Sequence, residues 1–170
     1  MARVETERLL LRTPEAGDLD EVARVFSDDG AMQFSFGKKD RAETAAWLEE
    51  TLALPDDGMG PFAVFERGGA EMLGLCILKE QEVEGERLPE IGYRFTTAAQ
   101  GRGFATEAAR ALRAHAFDTV GLEFVVSLID PGNAPSQNVA RKNGMTKGRR
   151  ATFKGVEVDV WSVRREMKEV

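Results

Sequence analysis

Two hydrophobic rhythms alternate along the chain, and the switches between them predict its elements. Apolar residues first bunch in "RLLLR" at 8–12, which predicts a strand. In "GDLDEVARVFSDD" the residues Leu19, Val22, Ala23 and Phe26 recur at helical spacing, and "DDG" is the stop. "KKDRAETAAWLEETLAL" predicts a second helix: Asp40 and Glu43 have the spacing of a capping box, and Trp47, Leu48 and Leu52 share a face. Pro55 and "DDGMGP" break it. The period then shortens to two. "FAVFE" (62–66) and "MLGLCILK" (72–79) predict strands joined across Gly68-Gly69 as a hairpin. Polar "EQEVEGERLP" reads as a connection, and "EIGYRF" (90–95) as the next strand.

A third helix follows "QGRG", with Ala105, Ala108, Ala109, Leu112 and Ala116 on one face; such small side chains let a helix pack closely on a sheet. "EFVVSLID" (123–130) predicts a strand, Pro131-Gly132 a turn, and "APSQNVARKNG" a short helix stopped by Asn143-Gly144. "TKGRRATF" and "VEVDVWSV" close the chain as a hairpin. The order β-α-α-β-β-β-α-β-α-β-β, without internal repeat or linker, predicts one α/β domain over residues 1–170 with a mixed sheet. Strands 90–95 and 123–130 flank a helix, so they should run parallel.

Composition narrows the class. At 170 residues the chain is long enough for a real core. The formal net charge of −6 argues against nucleic-acid binding, which depends on neutralising phosphates. No apolar run approaches the roughly 20 residues of a membrane span, and "MARVETERLLLR" lacks the pattern of a secretory signal. The lone Cys76 cannot form an internal disulfide and reads as a small buried hydrophobe. Together these features suit a reducing cytoplasm. A single histidine, His115, removes a histidine-rich metal site and a conventional triad, so no metal is expected. Asp56, Asp57 and Asp159 could attract a cationic amine. Oligomeric state is not encoded in any readable pattern.

The chemistry concentrates at "QGRGFATEAARAL". A strand, a glycine-rich turn and a helix start make an anion site, because unpartnered N–H groups and the helix dipole converge there. Gly101 and Gly103 permit close approach of a phosphate, and Arg102 can add a full charge. A corner that merely lets the helix pack tightly is the competing reading. The dinucleotide fingerprint does not fit, since Thr106 stands at its third small position and the motif lies past mid-chain. No Gly-Lys-Ser or Gly-Lys-Thr occurs, so this is not a P-loop.

At these residues the chain resembles the GCN5-related N-acetyltransferase (GNAT) superfamily. Gln100, Gly103 and Ala105 match its Gln/Arg-x-x-Gly-x-Gly/Ala signature. "GRGFATEA" and "NAPSQNVARKNGM", the latter with Asn133, Ser136, Lys142 and Gly144, are similar to the branch of ribosomal-protein N-terminal acetyltransferases. The order of elements matches over nearly the whole chain. The resemblance implies a GNAT-like fold whose parallel strands splay apart, with acetyl-CoA (coenzyme A) as cosubstrate and no metal. It implies pyrophosphate at Gln100, Gly101, Arg102, Gly103, Phe104, Ala105 and Thr106, and pantetheine against backbone near Phe95, Thr96 and Thr97. Asn133 would hold the cofactor and its loop, and Lys142 could reach phosphate or simply face solvent.

An alkyl amine has a pKa of roughly 10.4 and an α-amino group roughly 7.7–8.0, so the acceptor must lose a proton before it attacks. The resemblance makes Glu90 the base; the competing reading is a surface pair with Arg94. Many relatives carry a tyrosine acid where this chain has Ala140, and Ser136 takes that role by resemblance; a helix-start hydroxyl is its alternative. The implied function is acetyl transfer to a primary amine, either a small molecule or a protein N-terminus. A coenzyme A-binding sensor with weak catalysis is the alternative from another class.

Overall fold

The computed structural model describes residues 2–166. Its strands are β1 (Arg3–Glu5), β2 (Leu9–Arg12), β3 (Gly60–Glu66), β4 (Met72–Val83), β5 (Glu86–Phe95), β6 (Phe124–Ile129), β7 (Thr146–Phe153) and β8 (Val156–Arg164). They form one mixed sheet in the order β1-β2-β3-β4-β5-β6-β8-β7. The helices are α1 (Leu19–Phe26), α2 (Arg41–Leu52), α3 (Phe104–His115) and α4 (Ala134–Lys142). Every neighbouring pair is antiparallel except β5 and β6.

The two faces of the sheet carry different cores. On one, Leu78, Cys76, Ile91 and Phe95 pack against the small-residue stripe Ala108, Ala109 and Leu112 of α3. Cys76 is fully buried there, and burial pushes its thiol up, so it behaves as a hydrophobe. On the other, Val22, Val25 and Phe26 of α1 cover Ala63, Phe65 and Leu75. A third cluster joins Val83 and Leu88 to Val126, Phe153 and Val158 near the β7–β8 hairpin. His115 is structural: its Nε2 lies 2.7 Å from the Gly58 carbonyl and its ring meets Phe62 edge-on.

Three expectations are corrected. Residues 80–89 are ladder rather than loose connection: Gln81 pairs with Leu88 and Val83 with Glu86, around a tight turn at Glu84 (φ 48°) and Gly85 (φ 82°). Val83 and Leu88 are the cause, because both are buried in the third cluster and hold the polar strand ends in register. β1 was not anticipated; three residues carry no period of their own, and it forms by pairing with the free edge of β2. In α2 the buried stripe is Thr44, Leu48 and Thr51, whereas Leu52 is 48% exposed and lines a hollow with Leu54 and Met59. The capping box does form, with the Glu43 N–H on Asp40 Oδ1 (2.8 Å) and the Asp40 N–H on Glu43 Oε1 (3.1 Å).

Candidate active site

The site begins where β5 and β6 part. Their parallel pairing is a single register pair, Glu90 with Val126, after which the strands separate. Side chains take over the missing rungs. Ser127 Oγ donates to the Ile91 carbonyl (2.7 Å), and the Leu128 N–H donates to Glu90 Oε2 (3.3 Å). The Thr96 N–H bonds to the Leu73 carbonyl on β4 (3.0 Å), which sets the alternation along β5. Gly92 and Arg94 therefore bond toward β4, while Ile91, Tyr93 and Phe95 turn their backbone groups toward the gap. The Phe95 carbonyl already accepts from Gln100 Nε2 (3.1 Å), and the Thr97 N–H donates to Asp28 (2.9 Å). Among the described residues, the backbone groups left facing the gap are those of Tyr93 and the Phe95 N–H, one pleat before the expected Phe95–Thr97.

The glycine corner closes one end of this gap. Gly101 (φ 78°) and Gly103 (φ 79°) are both left-handed, which favours glycine, and a Cβ at Gly101 would meet nothing within 4 Å. Gly103 is the N-cap of α3 and supplies no side chain to it. Among the described residues the N–H groups of Phe104, Ala105 and Thr106 find no acceptor, and the helical ladder starts with the Glu107 N–H on the Gly103 carbonyl (3.1 Å). The corner is braced from behind. Arg8 reaches Glu107 Oε1 (2.7 Å) and the Arg102 carbonyl (2.8 Å), and its guanidinium lies over the Phe104 ring. The Phe104 side chain is core, so only its backbone can serve a ligand. The Arg102 side chain is engaged with Glu66 (3.2 Å) and also stacks on Phe104.

Asp28 is a site residue that sequence reasoning missed. Its Oδ1 accepts from the Ala31 N–H (2.8 Å), the Thr97 N–H (2.9 Å) and the Thr97 hydroxyl (2.9 Å). It thereby ties the loop after α1 to the start of the corner. Burial alone would raise its carboxyl, but these donors hold it below the usual carboxylate range. A depressed carboxyl stabilises the fold above the unfolded-state pKa of about 3.9, and that contribution is lost as pH falls through the lower folded value. Asp28→Asn should therefore lower the thermal midpoint at pH 7 and flatten its fall on acidification below about pH 4. Melting curves of both proteins from pH 7 to pH 3 check this.

Glu90, Gly92 and Arg94 lie on the α1–α2 face, between the apolar cluster of α1 and that of the β7–β8 hairpin. Glu90 is half-buried, with Gln81 Nε2 on its Oε1 (3.2 Å). Burial raises its carboxyl above the ordinary range; the Leu128 N–H, the Gln81 amide and the Lys154 and Arg94 charges oppose the rise without cancelling it. Glu90 forms no ion pair with Arg94 among the described residues, so the surface-pair reading does not hold. A carboxyl raised above the ordinary range is a stronger base once ionised, which suits proton removal from an amine.

On the opposite face the Tyr93 hydroxyl donates to the Ser136 carbonyl (3.0 Å) and docks the first turn of α4 on β5. The α4 cap is Asn133, whose Oδ1 accepts from the Ser136 N–H (3.2 Å). The helix-cap reading of Ser136 is thereby corrected. Its hydroxyl has no partner among the described residues and is half-buried. Lys142 is exposed in the last turn of α4, nine residues or about 13 Å along the axis from Asn133. Asp159 cannot serve an amine acceptor: it is buried and held by Arg150 (3.1 Å) and Lys147 (3.6 Å). Among the described residues no group of histidine, cysteine and carboxylate side chains could hold a metal ion, and no helix is long and apolar enough to cross a membrane.

Comparison with known proteins places this geometry in context. A family model described as an acetyltransferase (GNAT) domain matches residues 8–146. The uncharacterized protein YkkB of Bacillus subtilis (strain 168) is 32% identical over 145 residues, covering 84% of each chain. A crystal structure of a GNAT-family acetyltransferase from Bacillus anthracis superposes with a TM-score of 0.79 at 24% identity, over 96% of this chain and 98% of that one. RimL, a ribosomal L7/L12 α-N-protein acetyltransferase solved with coenzyme A, superposes with a TM-score of 0.77 at 18% identity, over 96% and 98% of the two chains. At those identities the two solved structures speak for the fold.

Proposed function

Because the chain belongs to the GNAT acetyltransferase family, we propose that it moves an acetyl group from acetyl-CoA directly onto a primary amine in the gap between β5 and β6. The family assignment makes it an acyltransferase; the amine, the direct transfer and the residue roles are the present reading. One observation carries it: the parallel pairing stops at Glu90, which among the described residues leaves a strand edge open beside a glycine corner whose first N–H groups find no acceptor. An open edge inside a sheet is a liability unless a ligand pairs with it.

The residues fit coenzyme A. Gly101, Gly103 and the N–H groups of Phe104, Ala105 and Thr106 offer a pyrophosphate cradle without a side chain in the way. Gln100 shapes the turn through the Phe95 carbonyl, and Tyr93 and Phe95 present backbone groups to a pantetheine arm. Thr96 and Thr97 then act as supports, since their N–H groups already hold β4 and Asp28. Asn133 holds the α4 turn. Arg102 and Lys142 can contribute phosphate contacts from the rim, Arg102 only by leaving Glu66. Acetyl-CoA supplies an activated acetyl thioester, so neither a metal nor a covalent enzyme intermediate is needed when both substrates are held together.

Glu90 takes the proton of the bound ammonium, directly or through one water, and Gln81 and the Leu128 N–H fix its orientation. Ser136 Oγ keeps a proton available at the α4 side of the gap for the leaving sulfur. Ala140 is buried and cannot take that role. Ser136→Ala should lower turnover by about 10²-fold, less if the thiolate leaves unaided, while acetyl-CoA affinity stays near wild type. Asn133→Ala should do the reverse first, lowering stability by about 1 kcal/mol through loss of the cap. Turnover, cofactor affinity and denaturant unfolding of both variants separate the roles.

The acceptor is a small molecule or a protein N-terminus, as RimL acts on a ribosomal protein. Thiol release from acetyl-CoA, measured with a panel of small amines and N-terminal peptides, tests the reading. Acceptor-dependent release supports it. Saturable acetyl-CoA binding with no release on any amine would overturn it in favour of a coenzyme A sensor.

A further inference from the structure

Arg94 is half-buried on the floor of the α1–α2 face, yet it has no carboxylate within salt-bridge distance among the described residues. Its Nη1 donates instead to the Met32 thioether (3.1 Å), and its guanidinium lies 5.8 Å from the Phe26 ring centroid. A thioether is a weak acceptor for a group that carries five strong donors. Taking a guanidinium out of water beside a sulfur and a phenyl ring is unfavourable unless something else completes its shell. Leu75, its cross-strand neighbour, offers nothing polar.

The surroundings say what is missing. Glu90 and Arg94 are four residues apart on one face of β5, about 13 Å between Cα atoms. They are close enough for each charge to act on the other, but they do not touch. Between them stands Gly92, where a Cβ would come 3.0 Å from the side chain of its cross-strand neighbour Ile77, so the strip between acid and base is apolar and offers neither charge a partner. Two further cations border the strip. Lys39 lies over the Phe26 ring, and Lys154 of the β7–β8 turn acts on Glu90 and lies over Phe36, which is 68% exposed. In a chain of net charge −6, the Glu90 carboxylate and the cations Arg94, Lys39 and Lys154 therefore share this face around the Gly92–Ile77 strip.

We infer that the acceptor is an amine that also carries an anionic group, a carboxylate or a phosphate, and that Arg94 binds that anion while Glu90 meets the amine. Lys39 and Lys154 draw such a molecule toward the mouth. A planar guanidinium suits this task, since it offers parallel N–H donors to two oxygens at once. The inference rests on the acetyl-transfer reading for the identity of the pocket and names the chemistry of its second substrate.

Four amines with the same two-carbon spacing test it: β-alanine and 2-aminoethyl phosphate against β-alaninamide and 2-methoxyethylamine. The wild type should show a kcat/KM at least about tenfold higher for an anionic member than for its neutral partner, the range of a hydrogen bond to a charged group. Arg94→Gln should raise KM for that member about 10–100-fold and leave the neutral amines within about twofold, with Arg94→Lys intermediate. Which anionic amine leads tells carboxylate from phosphate. Equal use of neutral and anionic amines, or an Arg94→Gln effect that is the same on both, overturns the inference while leaving acetyl transfer intact. Thiol release from any amine decides acetyl transfer separately. If all four small amines are too short to react, inorganic phosphate titrated into coenzyme A-saturated protein decides, followed by the side-chain NMR resonance of Arg94. A saturable shift, absent for a surface arginine such as Arg87, supports the site; no shift overturns it.

Discussion

Glu90→Gln should lower turnover by about 10²–10⁴-fold at neutral pH, the usual range for a positioned general base. The amide keeps the shape and can accept from the Leu128 N–H through its one oxygen, with its NH2 meeting Gln81 once that amide turns its oxygen over, but it cannot take a proton. The pH profile carries the diagnosis. Burial raises the Glu90 carboxyl, so wild-type activity should fall on acidification at a pH above the ordinary glutamate range. In Glu90→Gln that limb disappears, and activity should recover partly as rising pH deprotonates the amine itself. Stability should move the other way. A carboxyl whose folded pKa is raised destabilises the fold once it ionises, a penalty that is absent at low pH and grows as pH rises through the folded value. The variant should therefore melt no lower than wild type at pH 7. A large rate loss with unreduced stability marks a group retained for chemistry; an unchanged pH–rate profile would return Glu90 to a structural role.

Gly103→Glu should weaken acetyl-CoA binding by on the order of 10²-fold or more, through lost charge-assisted hydrogen bonds and a like charge against phosphate. The left-handed backbone at φ 79° adds strain of about 1–2 kcal/mol for any side chain, and the new Cβ would sit 3.3 Å from Arg8 Nη2. Gly103→Ala shares the strain without the charge. It should lose stability like the glutamate variant but keep most of its affinity, so calorimetric titration and unfolding of the two separate strain from ligand repulsion. Equal, wild-type-like affinities in folded protein would place the pyrophosphate elsewhere.

These effects differ in how visible they are in the chain itself. The glycine corner, the Asp40–Glu43 capping box, the Asn133 segment and the small-residue face of α3 are local patterns. Their hydrogen bonds close within a few residues, so spacing alone declares them. Glu90 was legible as a candidate, though not its environment: the Leu128 N–H, Gln81 and Lys154 come from three other elements. Asp28 looked like the end of a helix, and its three donors became visible only when the chain folded back to Thr97.

What the sequence by itself determined is the order of elements, the α/β class, the glycine corner before α3 and the acetyltransferase resemblance, because these rest on short-range periodicity and on backbone freedom at particular glycines. The tertiary structure decided the rest. It extended β4 and β5 through a polar stretch because Val83 and Leu88 found a distant core. It added β1 to an open edge and gave the α4 cap to Asn133 rather than Ser136. It opened β5 from β6 at one register pair, and it left Arg94 facing a thioether. Each of these depends on which groups meet across long stretches of chain, and a polar residue's role is set by the partner it finds or lacks there, which no local pattern encodes.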